Sequence, residues 1–89
     1  MKVFKRNMKY KIGDKVKLID YKFYLYNRHW RTNVWYLLGG LAMNEEMSKY
    51  CGQIMTITSA KKDDITEYYT FKECKKDFCW SVQLIEKKI

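Results

Sequence analysis

The feature that most constrains the fold of this chain is a series of short apolar stretches, each about one strand long, separated by polar turns. The first is the clearest, because Val16 and Leu18 alternate with lysines directly after a turn at Gly13. Alternation at a period of two is typical of a half-buried strand with one polar face. Such segments in succession predict a mainly β domain, a small barrel or sandwich of five or six short strands.

The second half of the chain continues this pattern. Residues 53–60 are rich in β-branched side chains, and in residues 68–73 Tyr69 and Phe71 alternate with the residues between them. Phe78 and Trp80 alternate in the next apolar stretch, which predicts that both belong to the core. We expect residues 81–83 to form a tight turn and residues 84–86 a short closing strand.

One short helix is predicted between these strands. Asn44 is suited to cap its first turn, and Glu45 and Glu46 would lie at the positive end of its dipole. Gly52 is suited to the left-handed conformation that ends many helices. These signals lie close together, so we expect a helix of one or two turns.

Residues 21–43 follow no clear period. Tyr21, Phe23 and Leu25 would face the core if the first strand continued through them, whereas residues 28–33 are polar enough for a loop tip. Gly39 and Gly40 interrupt the apolar stretch that follows. The sequence therefore predicts a long basic, aromatic loop inserted at residues 21–43.

The chain of 89 residues is expected to form a single domain, residues 1–89, with residues 1–8 as a basic tail or an added edge strand. Its longest apolar run, residues 34–43, is far shorter than the roughly 20 residues of a membrane span. The basic residues at the start precede no apolar segment of a signal peptide. We therefore expect a cytoplasmic protein without membrane contacts.

Four segments together resemble the small proteins with a Src-homology-3-like (SH3-like) barrel that phages and prophages of low-GC bacteria encode as single domains. These are residues 10–18 (YKIGDKVKL), 47–57 (MSKYCGQIMTI), 68–73 (YYTFKE) and 78–86 (FCWSVQLIE). The resemblance implies an SH3-like β-barrel and a bacterial host cell. Residues 21–43 depart from the family, whose loops at this point tend to be polar and often acidic.

The net charge of +8 lies entirely in the first half of the chain. Residues 1–44 contain ten Lys and Arg against two Asp, whereas residues 45–89 contain eight Lys against eight acidic residues. No acidic residue occurs in residues 21–44, a stretch with seven aromatic side chains. Cations interleaved with aromatic rings are suited to hold a polyanion and to stack on its flat groups.

Part of this aromatic content is needed for packing, because the interior of a small barrel requires large side chains. Trp30, between His29 and Arg31, is the aromatic residue most expected at the surface. We expect no cofactor, and the candidate binding residues are Lys15, Lys17, Lys22, Tyr26, Arg28, His29, Trp30, Arg31 and Trp35.

Catalytic and metal chemistry receive little support. The chain has one histidine, and its paired acidic residues fit a helix start and a polar turn better than an acid–base pair. Cys51, Cys74 and Cys79 lack the close paired spacing of most zinc sites, and an odd number of cysteines without a secretion signal predicts free thiols. We therefore expect neither an enzyme nor a metal protein.

Three hypotheses remain. The first is a non-enzymatic protein that engages nucleic acid, or an acidic protein surface of a nucleoprotein complex, with Arg28 and Arg31 on phosphates and Trp30 on a base. The second is a protein-binding inhibitor of a host defence complex, an anti-CRISPR-like counter-defence protein. The third is a homodimeric structural module that associates through Tyr24, Trp35, Leu37 and Leu41.

Overall fold

A computed structural model of the protein describes residues 8–37 and 40–89. The elements follow one another along the chain as β1 (Lys15–Leu18), α1 (Tyr21–Asn27), β2 (Trp35–Leu37), β3 (Gly40–Met43), α2 (Glu45–Ser48), β4 (Ile54–Lys62), β5 (Glu67–Phe71), β6 (Trp80–Ser81), a 3-10 turn (Val82–Leu84) and β7 (Ile85–Lys88). The mainly β character predicted from the sequence is confirmed.

Five strands form one antiparallel sheet in the order β6-β5-β4-β1-β7, and β2 and β3 form a separate hairpin. Strand β4 is the longest, at nine residues, and its register shifts between Ile57 and Ser59. Within the described residues, β6 and β7 are the two edges of the sheet and do not pair with each other. The structure is therefore an open five-stranded sheet rather than a closed barrel.

The core lies between this sheet, the hairpin and the helices. The alternation in β1 is confirmed, because Val16 and Leu18 are both fully buried. Tyr69 and Phe71 of β5 also face inward, and Trp80 is fully buried against the Phe71 ring at a centroid distance of 5.6 Å. Burial of these large side chains is the main source of stability in so small a domain.

The predicted loop at residues 21–43 is wrong: this segment forms α1, a short turn and the β2–β3 hairpin. Asp20 begins the helix, because its carboxylate accepts a hydrogen bond from Lys22 N at 3.2 Å. Tyr21, Phe23 and Leu25 therefore do not continue the first strand. They lie on a helix and are each more than two-fifths exposed.

The predicted short helix and its start at Asn44 are confirmed in α2, but the helix ends at Ser48, before the predicted stop at Gly52. Asn44 Oδ1 accepts a hydrogen bond from Met47 N at 2.7 Å, and Glu45 and Glu46 lie in the first turn. Gly52 follows with φ +79°, a conformation that costs glycine little. The helix is a single turn with Met47 and Ser48 buried.

The start of the described chain is held against the sheet. Lys9 N donates to Glu67 Oε1 at 2.7 Å, and Tyr10 N donates to the Tyr69 hydroxyl at 3.1 Å. The predicted basic tail or edge strand at residues 1–8 lies outside the described residues except for Met8, which packs against the core.

Candidate functional site

Helix α1 is attached to the protein by one side chain. Of its seven residues only Tyr24 is buried, and the helix packs against β2. The Tyr24 hydroxyl donates to the backbone oxygen of Asn33 at 2.5 Å. Burial, together with the nearby Glu45 carboxylate, raises the pKa of this phenol, so it remains a hydrogen-bond donor at neutral pH.

The side of α1 opposite Tyr24 combines a cation and an aromatic ring. At 3.6 residues per turn, Lys22 and Tyr26 are the two residues that point most directly away from Tyr24. Their spacing of four residues places their Cβ atoms about 5–6 Å apart. Tyr26 is 86% exposed, and the Lys22 ammonium lies 5.5 Å from the centroid of the neighbouring Phe23 ring.

The turn that follows α1 is held in one conformation by Asn33. Asn33 adopts φ +57°, a left-handed conformation that asparagine tolerates better than most residues. Its side-chain amide accepts from Arg28 Nη1 at 3.0 Å and donates to Glu45 Oε2 at 2.8 Å. Its backbone N–H donates to the His29 carbonyl at 2.8 Å, which closes the turn.

Trp30 stands at the tip of this turn and is 74% exposed. The guanidinium carbon of Arg31 lies 4.6 Å from the centroid of the indole ring, within cation–π range. The His29 ring is nearly parallel to the indole, with 16° between the planes and 6.0 Å between the centroids. His29 Nδ1 also accepts a hydrogen bond from Arg31 N at 3.2 Å, so the three residues form one local cluster.

The charged side chains of residues 21–31 are all basic. In the part of the chain that the structure describes, no carboxylate forms an ion pair with Lys22, Arg28 or Arg31. All of residues 20–32 except Tyr24 are exposed to solvent. We call residues 21–31 the basic aromatic segment.

Two of the predicted binding residues, Lys15 and Lys17, lie on β1 in the sheet. Their side chains alternate with the buried Val16 and Leu18. Lys17 Nζ is 3.8 Å from the carboxylate of Glu86 on the neighbouring strand β7, which offsets part of its charge. The structure thus brings together Lys22, Tyr26, Arg28, His29, Trp30 and Arg31 in one exposed stretch, with Lys15 and Lys17 on a different element.

Trp35 is also a predicted binding residue, but the structure places its side chain in the core, only 8% exposed. It pairs across the hairpin with the fully buried Met43, on the strand against which α1 packs. Two residues of the predicted self-association patch also face inward: Tyr24 is buried, and Leu37 packs against the core. The side chain of Leu41, its fourth member, lies outside the described residues.

Sequence reasoning missed the role of Asn33 and the exposure of Phe23 and Leu25. The available signals were local. Asp20 is a strong N-cap residue, and Lys22 and Tyr26 have the i, i+4 spacing of one helix face. A lone asparagine five residues after the helix is a weak signal, because its function depends on Glu45, twelve residues away.

Other reactive groups do not assemble into a site. Among the described residues, no three His, Cys, Asp or Glu side chains are close enough to hold a metal ion. The three cysteines are free thiols, and burial, together with the Asp20 carboxylate, raises the pKa of Cys51 to about 11. A shallow pocket is lined by Lys62, Asp63, Asp64, Thr66 and Glu67. Its Asp63 carboxylate accepts 2.8 Å hydrogen bonds from two backbone N–H groups of its own turn.

Comparison of the chain with known protein families, curated proteins and solved structures found no match. In the described part of the chain, no helix has the length and apolar character needed to cross a membrane. The basic aromatic segment is therefore the feature of the molecule that bears on its function.

Proposed function

We propose that this protein is a non-enzymatic binding protein of phage type that engages nucleic acid through its basic aromatic segment inside a bacterial host cell. The observation that carries the proposal is Trp30, a ring 74% exposed to solvent with the Arg31 guanidinium 4.6 Å from its centroid. A ring beside a cation matches a nucleotide, in which a base lies beside a phosphate. Helix α1 adds a second cation beside a ring, because the Lys22 ammonium lies 5.5 Å from the Phe23 centroid, and Tyr26 is 86% exposed on the same helix.

The fold proposal that accompanies it is an SH3-like β-barrel. Three features favour it: β4, β5 and β6 form a meander, a 3-10 turn follows, and the last strand returns to pair with β1. This topology places β1 between β4 and β7, with β4 as the central strand of the sheet. The resemblance of residues 10–18 and 78–86 to phage-encoded barrels points in the same direction.

The test is the salt dependence of binding to a labelled oligonucleotide. If three cations contact phosphates, affinity should fall roughly 20- to 40-fold between about 50 and 200 mM salt, because condensed counterions are released on binding. Arg28→Ala/Arg31→Ala should weaken binding and flatten the salt slope. Lys61→Ala/Lys75→Ala removes the same charge from exposed positions in the neutral half and should retain affinity. An affinity that does not change with salt concentration would overturn the proposal.

A second candidate is a protein-binding inhibitor of a host defence complex. It is favoured by Phe23 and Leu25, which are 45% and 43% exposed on the flanks of α1. The aliphatic Leu25 gains nothing from phosphates, but it would gain from burial in a protein interface. Capture of a single host protein that survives nuclease treatment and is lost in Leu25→Asp would favour this candidate. Loss of capture after nuclease would favour nucleic acid.

A further inference from the structure

We infer that the basic aromatic segment selects single-stranded over duplex nucleic acid and binds it with little sequence preference. This inference rests on the proposed function and narrows its ligand to strands with unpaired bases. The chemistry is shared by single-stranded DNA and RNA, so the experiment below includes both.

The segment leaves two aromatic rings largely exposed to solvent. Trp30 and Tyr26 are 74% and 86% exposed, and both belong to a stretch of chain in which only Tyr24 is buried. Ring faces recognise base faces, which are covered by neighbouring bases in a duplex and accessible in a single strand. A duplex keeps its base faces covered, so these two rings would gain no stacking from it.

The asparagine side chains that could read base edges form hydrogen bonds within the protein. Asn27 Nδ2 donates to the Phe23 carbonyl at 2.6 Å, and both side-chain atoms of Asn33 are engaged with Arg28 and Glu45. His29 Nδ1 accepts from Arg31 N. Direct readout depends on amide and guanidinium groups aimed at base edges. Here the whole Asn33 amide and the Nδ2 of Asn27 hold the segment itself, so mainly ring faces and cations remain for the ligand.

Cationic side chains lie near both exposed rings. The Arg31 guanidinium lies against the Trp30 ring, and Lys22 lies one helical turn from Tyr26. A base stacked on Trp30 would bring its own phosphate toward Arg31. Single-strand binding proteins that tolerate any sequence combine these two elements, stacking rings and a cationic path for the backbone.

The experiment compares an oligonucleotide of about 12 nucleotides, in DNA and RNA versions, with the corresponding DNA duplex by fluorescence anisotropy at low salt. We expect the single strands to bind at least about tenfold more tightly than the duplex. Trp30→Ala should weaken single-strand binding at least about fivefold, Trp30→Phe should retain most of it, and duplex binding should change little. Tyr36→Ala, which removes a 58% exposed ring from β2, is the matched control.

Intrinsic fluorescence gives a second readout. The other two tryptophans, Trp35 and Trp80, are buried, so quenching by a stacked base reports on Trp30. Quenching should vanish in Trp30→Phe while anisotropy still detects binding. An unchanged urea midpoint confirms that each variant is folded.

The outcomes separate the two proposals. If neither single strand nor duplex binds, the proposed function is wrong. Salt-dependent binding that is equally tight for duplex and single strand would support nucleic-acid binding but overturn the single-strand inference. Salt-dependent binding that is unchanged in Trp30→Ala would do the same. A strong preference among mixed sequences of equal length overturns the inference in the same way. The tighter of the DNA and RNA arms identifies the ligand.

Discussion

The side-chain amide of Asn33 donates a 2.8 Å hydrogen bond to the carboxylate of Glu45, which links the turn after α1 to the first residue of α2. The same amide accepts from Arg28, and the backbone oxygen of Asn33 accepts from Tyr24. One residue thus joins both helices and orients the turn that carries Trp30. This arrangement explains how an exposed segment keeps a defined shape.

Two substitutions of Asn33 should distinguish the cost of backbone strain from the cost of lost hydrogen bonds in the free energy of unfolding. Asn33→Gly keeps φ +57° accessible but removes the bonds to Arg28 and Glu45, whereas Asn33→Ala removes the same bonds and adds strain. We expect Asn33→Ala to lower the free energy of unfolding by about 1–2 kcal/mol and Asn33→Gly to lower it less. Urea denaturation measures both. A glycine variant less stable than the alanine variant would contradict the strain argument.

Tyr24 should be the residue on which α1 depends. Tyr24→Ala removes a fully buried ring and should lower the free energy of unfolding by about 3–5 kcal/mol. Tyr24→Phe keeps the ring but loses the bond to the Asn33 carbonyl, for about 0.5–1.5 kcal/mol. The control Tyr26→Phe alters an exposed hydroxyl and should change stability by less than about 0.5 kcal/mol. Equal effects for the two phenylalanine variants would show that the Tyr24 hydroxyl has no structural function.

Tyr69→Phe should destabilise the protein through a lost acceptor. The Tyr69 hydroxyl accepts from the buried Tyr10 N–H and donates to Glu67 Oε1 at 2.7 Å. Without it, a buried backbone donor loses its partner, which costs about 1–3 kcal/mol. Hydrogen exchange should also speed up at the Tyr10 amide. Tyr36→Phe, on an exposed ring, serves as the control, and an unchanged Tyr10 exchange rate would contradict the prediction.

Stability should fall in acid because several carboxylates are hydrogen-bonded in the fold. The backbone N–H groups of Thr66 and Ile65 hold the pKa of Asp63 below its ordinary value of 3.8. A carboxyl with a lowered folded pKa stabilises the fold above its unfolded pKa, and this contribution is lost as pH falls through the folded value. Urea midpoints from pH 7 down to pH 2 should drop below about pH 4.

Asp63→Asn isolates this contribution. Its amide oxygen still accepts from the two N–H groups, but the side chain no longer titrates in this range. The variant should show a shallower drop in acid than the natural protein. A drop remains, because hydrogen bonds also lower the pKa of Asp14, through Lys11 N. If the urea midpoints of the two proteins fall identically with pH, Asp63 does not contribute to the loss of stability in acid.

The strands were predictable from sequence because their burial follows a period of two. Val16 and Leu18, and later Tyr69 and Phe71, are the inward residues that the alternation indicates. The cap of α2 was also predictable, because the Met47 N–H donates to the Asn44 side chain within one turn. In each case the information is contained in neighbouring residues.

Helix α1 and the burial of Trp35 were not predictable in the same way. Aromatic and aliphatic residues occur on all sides of this helix and only Tyr24 is buried, so its local signals, the Asp20 cap and the i, i+4 spacing, are weak. Trp35 is buried because β3 and α1 come to lie beside it, which no local pattern indicates. The exposure of Trp30, by contrast, follows from the polar residues around it.

The attachment of α1 through Tyr24 alone has an evolutionary consequence. Tyr24 is the one buried residue among the seven positions of this helix, so mutation of the most exposed positions, such as Tyr26, carries little risk to folding. The exposed positions of this helix can therefore change in sequence more freely than the buried residues of the sheet. Laboratory selection for new partners would best begin by randomising these positions with Tyr24 and Asn33 kept fixed.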